Sequence, residues 1–143
     1  MRHPALEQRD FQPLDEVQAA AFRPLIEQAL TEDAAADDVT TSALVPPTAL
    51  ASASLALRSP GIVAGLPIAR LTFHCAEPGI AWASDQHDGM RVSAGAIVAR
   101  LEGRAQGLLR GERVALNFLG RLCGIATLTR AFVDAVSGFP AKI

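Results

Sequence analysis

Apolar and polar positions change rhythm twice along this chain. Leu25, Ile26, Ala29 and Leu30 recur at helical spacing. Pro24 just ahead of them suits a first helical turn, where its missing N–H is no loss. Residues 1 to about 22 are polar with scattered apolar positions, so 1–23 read as a tail. Acids, threonines and two prolines then break the pattern over 32–48, which predicts a loop. Ala51, Ala53, Leu55 and Leu57 alternate with small or polar residues, the period of a strand. Ser59-Pro60-Gly61 signals a turn and 62–64 a short strand. Residues 66–76 suit a helix, with Pro67 in its first turn and Pro78-Gly79 beyond its end. A strand over 80–83, a hairpin-type turn at Asp88-Gly89, a strand over 90–92, a turn at Gly95 and a strand over about 97–102 follow. Helices and strands in this order predict an α+β sandwich with a mostly antiparallel sheet over 24–106.

From Gly107 the period is helical and apolar nearly all round, to about residue 137. Glycines at 111, 120 and 124 leave open one long helix, a broken one, or two in sequence. Gly138-Phe139-Pro140 ends the stretch, and Ala141-Lys142-Ile143 reads like the opening of a new strand. Residues 107–143 therefore read as connecting helices leading into a second unit.

Composition narrows the function classes. The 143 residues are half hydrophobic and one-fifth charged, enough for a real core in one domain. A net charge of -2 offers no cationic field for nucleic acid or an anionic membrane. No apolar run approaches the ~20 residues of a membrane span. The N-terminus shows no signal peptide, and a cytoplasmic protein is the expectation. Cys75 and Cys123 match no CxxC or zinc spacing and read as ordinary buried thiols. Of the thirteen Lys and Arg residues, only Lys142 is a lysine, so lysine chemistry has one candidate.

Arg110, Arg113, Asn117 and Arg121 follow at spacings of three, four and four. On a helix they share an arc of roughly 80°. Guanidiniums on a buried helix need anions, and Arg grips carboxylate or phosphate with a planar fork. A small polyanion is the functional reading; a solvated helix face is the plainer one from periodicity alone. Glu112 falls nearly opposite the stripe. Pairing with a buried base, capping backbone groups and reaching the core edge all remain open for it. His74 and His87 lack a second ligand at metal spacing. Trp82 reads as core, Asp37-Asp38 as a loop or capping pair, and Gly120-x-x-x-Gly124 as a site of close helix packing.

The same segment carries a resemblance. Glu112-Arg113-Val114-Ala115-Leu116-Asn117-Phe118-Leu119 and Gly124-Ile125-Ala126-Thr127 resemble the ERxALNxL…SGIAT signature of quinolinate phosphoribosyltransferases. Leu30-Thr31-Glu32-Asp33 with Asp38-Val39-Thr40-Thr41, the run from Arg58 to Leu66, and Asp88 to Gly103 resemble further family segments in order and spacing. Asp37 stands where the family usually has glycine, Gly120 where glutamine is common, and Cys123 where serine is common.

The resemblance implies an enzyme that converts quinolinate and phosphoribosyl pyrophosphate to nicotinate mononucleotide, pyrophosphate and carbon dioxide, with Mg2+. It implies an α/β sandwich followed by an α/β barrel, of which 107–143 would hold the first, truncated part. It gives Arg113 the substrate carboxylates, reached in the partner subunit of a homodimer, with Glu112, Asn117 and Arg121 as possible supports. Catalytic groups and metal ligands are not expected within this chain, which is expected to be inactive alone. Two alternatives resemble or fit the same residues: a molybdenum-transport-associated relative, and a non-catalytic module that pairs with a separate barrel half. A biotinyl or lipoyl carrier fits 88–103 superficially but lacks its attachment lysine.

Overall fold

A computed structural model describes residues 12–33 and 38–140. Asp37 and the strand opening expected at 141–143, with Lys142, lie outside the described residues.

The first helix, α1 (Glu16–Glu32), begins eight residues before the proline expected to start it. A capping box explains the difference: Asp15 Oδ1 accepts from the Gln18 N–H at 2.8 Å, and Gln18 Oε1 accepts from the Asp15 N–H at 3.2 Å. Pro24 therefore lies inside the helix, where it removes one hydrogen bond. Ile26, fully buried, fastens this helix to the body. The stretch expected as loop contains α2 (Val39–Leu44). Its N-cap is Asp38, whose carboxylate accepts from the Thr41 N–H at 2.9 Å and from the Thr41 hydroxyl. At its far end the Val45 carbonyl accepts from Gln106 Nε2 at 2.7 Å.

The strands are β1 (Leu50–Ala56), β2 (Gly61–Ile62), β3 (Ala81–Ala83), β4 (Arg91–Val92) and β5 (Ile97–Arg104). β5 is central, antiparallel to β1 and to β3, with Leu55 opposite Ala99 and Trp82 opposite Leu101. β2 and β4 form a separate antiparallel pair. The expected hairpin at Asp88-Gly89 is thus not one, because β3 and β4 belong to different sheets. Asp88 turns instead toward α3 (Leu66–Ala76). Its carboxylate accepts from the Gly65 N–H at 2.8 Å and the Leu66 N–H at 3.0 Å. Gly65 has φ +92°, which leaves α3 to be capped by this distant acid.

The long apolar stretch is one helix, α4 (Ala105–Ala135), unbroken by its glycines. α3 and α4 pack on each other, and α4 also meets the strands, giving the two-layer sandwich. Leu66, Ala69 and Phe73 of α3, Val98, Ala99 and Leu101 of β5, and Leu108, Ala115, Leu119 and Cys123 of α4 share one core. α4 is therefore part of this core as far as Cys123, across the boundary expected at 106. Trp82 is in the core as expected, its ring centroid 6.3 Å from that of Phe73. The close helix packing expected at Gly120 and Gly124 is not found among the described residues: a Cβ on either would meet none of them within 4 Å. The close approach occurs at Gly107 and Gly111, where a Cβ would stand 2.4 Å from Glu77 Cβ and 2.7 Å from Phe73 Cδ1.

Candidate functional site

α4 buries one face, comprising Gly107, Leu108, Gly111, Val114, Ala115, Leu119 and Cys123. The basic stripe lies away from it. Arg113, Asn117 and Arg121 are exposed and Arg110 is half-buried. The desolvation cost anticipated for three guanidiniums does not arise for Arg113 and Arg121, whose side of α4 faces solvent; it falls on Arg110, whose Nε is buried with no hydrogen-bond partner among the described residues. Glu112 is exposed as well, so of its open readings the buried ones drop out.

Among the stripe residues, Arg113 has the defined carboxylate partner. Its Nη1 donates to Asp33 Oδ1 at 3.0 Å across 80 residues of chain. The Arg113 side chain is 75% exposed and that of Asp33 only 22%. Such a pair adds at most about 1 kcal/mol to stability, since water screens it. Beside it runs a cleft of about 350 Å³ between α1 and α4, lined by Ala29, Glu32, Asp33, Val114, Asn117, Phe118 and Arg121. Three members of the stripe thus border or approach one acidic-and-basic edge. Arg110 stands apart: its Nη2 reaches Gln106 Oε1 at 3.4 Å. Arg110 also helps hold the Asp38 carboxyl below its ordinary value, an effect led by the hydrogen bonds from Thr41.

The second half of the signature is structural here. Thr127 Oγ1 accepts from the Ile62 N–H at 2.8 Å. Cys123 Sγ accepts from the Ala64 N–H at 3.3 Å and donates to the Ala64 carbonyl. These contacts clasp α4 to the segment around β2. Burial pushes the Cys123 thiol up, and burial does the same for Cys75, beside Arg23 Nη1 at 3.3 Å. Both are protonated thiols at neutral pH, not nucleophiles. His74 and His87 are exposed. Among the described residues, no three His, Cys, Asp or Glu side chains are placed to hold a metal ion.

Two contacts escaped the sequence reading. Asp33 and Asp88 were visible as motif residues, but their partners lie 80 and 22–23 positions away. No local spacing points to such contacts.

Beyond Cys123, α4 turns apolar side chains outward: Ile125, Leu128 and Phe132 are each more than half exposed. A groove of about 540 Å³ runs between this part of α4 and residues 56–61. Among the described residues no helix is long and apolar enough to cross a membrane.

Comparison with known proteins places these features. The model of the quinolinate phosphoribosyl transferase N-terminal domain matches residues 38–123. A nicotinate-nucleotide pyrophosphorylase [carboxylating] of Mycobacterium leprae is 37% identical over 133 residues, covering 91% of this chain and 47% of the relative. Quinolinate phosphoribosyltransferase [decarboxylating] 1b of Nicotiana tabacum is 38% identical over 123 residues, covering 85% and 35%. The crystal structure of NadC from Streptococcus pyogenes superposes with a TM-score of 0.81 at 32% identity, covering 86% of this chain and 45% of that one. The nicotinate-nucleotide pyrophosphorylase of Francisella tularensis gives 0.81 at 26% identity, covering 93% and 48%. The chain thus spans half or less of the length of these relatives. The matched region holds the central strand, α3, and α4 as far as Cys123 with Arg113, and this chain belongs to the quinolinate phosphoribosyl transferase N-terminal domain family.

Proposed function

We propose that this chain is the substrate-gripping front part of a quinolinate phosphoribosyltransferase. The complete enzyme takes quinolinate and phosphoribosyl pyrophosphate to nicotinate mononucleotide, pyrophosphate and carbon dioxide. The observation that carries this reading is Arg113: it lies in the family-matched region, on the side of α4 away from the core, and 75% exposed. A guanidinium held outward on a rigid helix suits a dicarboxylate, because its planar fork matches a carboxylate edge. Its work is to bind and orient the substrate; Asn117 and Arg121 on the same side support it.

The exposed apolar side chains of α4 support a homodimer in which Arg113 reaches the neighbouring subunit's site. Mg2+ belongs to the reaction with phosphoribosyl pyrophosphate. Its ligands are proposed to lie in the other half of the enzyme, as the family resemblance implies. A cytoplasmic setting agrees with the two free thiols.

The test is to assay residues 1–143 alone and then joined to the remaining half of the Mycobacterium leprae relative. The chain alone should not convert quinolinate, and the joined protein should. Turnover by the chain alone contradicts the reading.

A further inference from the structure

Arg113 is long, three-quarters exposed and attached at one point, so what fixes its direction matters. That point is Asp33. We propose that Asp33 is a positioning residue for Arg113, aiming the guanidinium at the carboxylate it binds. This rests on the reading of Arg113 given above.

Three observations support it. The first is where Asp33 sits. It is the C-cap of α1, next to Glu32, and the last turn of that helix contains no basic residue. A helix C-terminus carries a partial negative charge, so two acids there oppose the helix dipole. Helix stability alone disfavours a carboxylate at this position, and a locally unfavourable choice marks a site kept for another purpose.

The second is rigidity. The Asp33 side chain is 22% exposed, and its backbone N–H donates to the Ala29 carbonyl at 3.0 Å. The anchor is held by the end of a helix while the group it holds reaches into solvent. The partner is therefore oriented by the fixed member of the pair.

The third is which edge of the guanidinium is used. Asp33 takes Nη1. The side edge, Nε with Nη2, makes no hydrogen bond among the described residues. That edge presents two parallel N–H bonds, the geometry that grips a carboxylate bidentately. Asp33 thus occupies one corner and leaves the fork free. It also lowers the rotamer freedom Arg113 would lose on binding.

The test uses Asp33→Ala, with Arg113→Lys as reference. In the chain of 143 residues, Asp33→Ala should leave the melting temperature unchanged or raise it, and the Arg113 side-chain Nε–Hε NMR signal should show increased disorder. In the joined enzyme, KM for quinolinate should rise roughly five- to tenfold. KM for phosphoribosyl pyrophosphate should stay within about twofold. In an Asp33→Ala background, Arg113→Lys should cost less than it does alone, because the two act together. A clear drop in melting temperature with an unchanged NMR signal makes Asp33 merely structural and overturns the proposal. So does an unchanged or lower quinolinate KM, which would make Asp33 a bystander or a competitor of the substrate. If Arg113→Lys itself fails to move quinolinate KM, the reading of Arg113 fails, and that variant alone reports it.

Discussion

Gly111 of α4 lies so close to the Phe73 ring of α3 that a Cβ on it would stand 2.7 Å from Cδ1. Phe73 is 3% exposed and cannot swing away. Gly111→Ala should therefore destabilise the chain by about 1–3 kcal/mol, the usual cost of overpacking. Gly120→Ala meets open space and should change stability by less than about 1 kcal/mol, on the favourable side. Urea unfolding of the two variants checks this. A larger loss for Gly120→Ala would reverse the assignment of the helix contact.

Asp88 caps α3 from 22 to 23 positions away, its carboxylate accepting from the Gly65 and Leu66 N–H groups. Asp88→Ala should cost about 1–2 kcal/mol, comparable to losing a strong N-cap. Asp88→Asn should cost less, since one acceptor oxygen survives. Equal losses for both variants would point to charge rather than hydrogen bonding as the main contribution.

The Asp38 carboxyl is held below its ordinary value of 3.8 by Thr41, first through the hydroxyl and then through the backbone N–H. A depressed folded value means that ionised Asp38 stabilises the fold. That contribution is fully present above the unfolded value and is lost as pH falls through the folded one. The melting-temperature gap between the wild type and Asp38→Ala should be constant near neutral pH and should narrow below 3.8. A gap that widens on acidification contradicts the capping role.

How much of this was legible beforehand depended on the range of each interaction. α3 was readable to its ends because Pro67, the apolar spacing and Pro78-Gly79 are local signals. The start of α1 differs from the expectation set by Pro24 because the capping box of Asp15 and Gln18 begins the helix at Glu16. The wrong hairpin at Asp88 came from a local turn pattern that tertiary pairing overrode. The Gly120-x-x-x-Gly124 spacing pointed to the wrong glycines of α4, because the position of α3 puts the close approach at Gly107 and Gly111. Arg113 was legible through its motif, whereas its hold on Asp33 was not, because the chain brings those residues together from 80 positions apart.

The outward apolar residues of α4 give a simpler physical test. Ile125, Leu128 and Phe132 are 55%, 60% and 56% exposed. Purified chain should self-associate in sedimentation velocity, and Leu128→Arg with Phe132→Arg should shift it toward monomer. A wild-type monomer at high concentration would separate this face from any dimer contact.

The account stands most directly on Arg113. Arg113→Lys keeps the charge and loses the fork, so initial-rate kinetics of the joined enzyme should show KM for quinolinate raised at least about tenfold, with KM for phosphoribosyl pyrophosphate nearly unchanged. Equal changes in both constants, or none, would remove Arg113 from the quinolinate site.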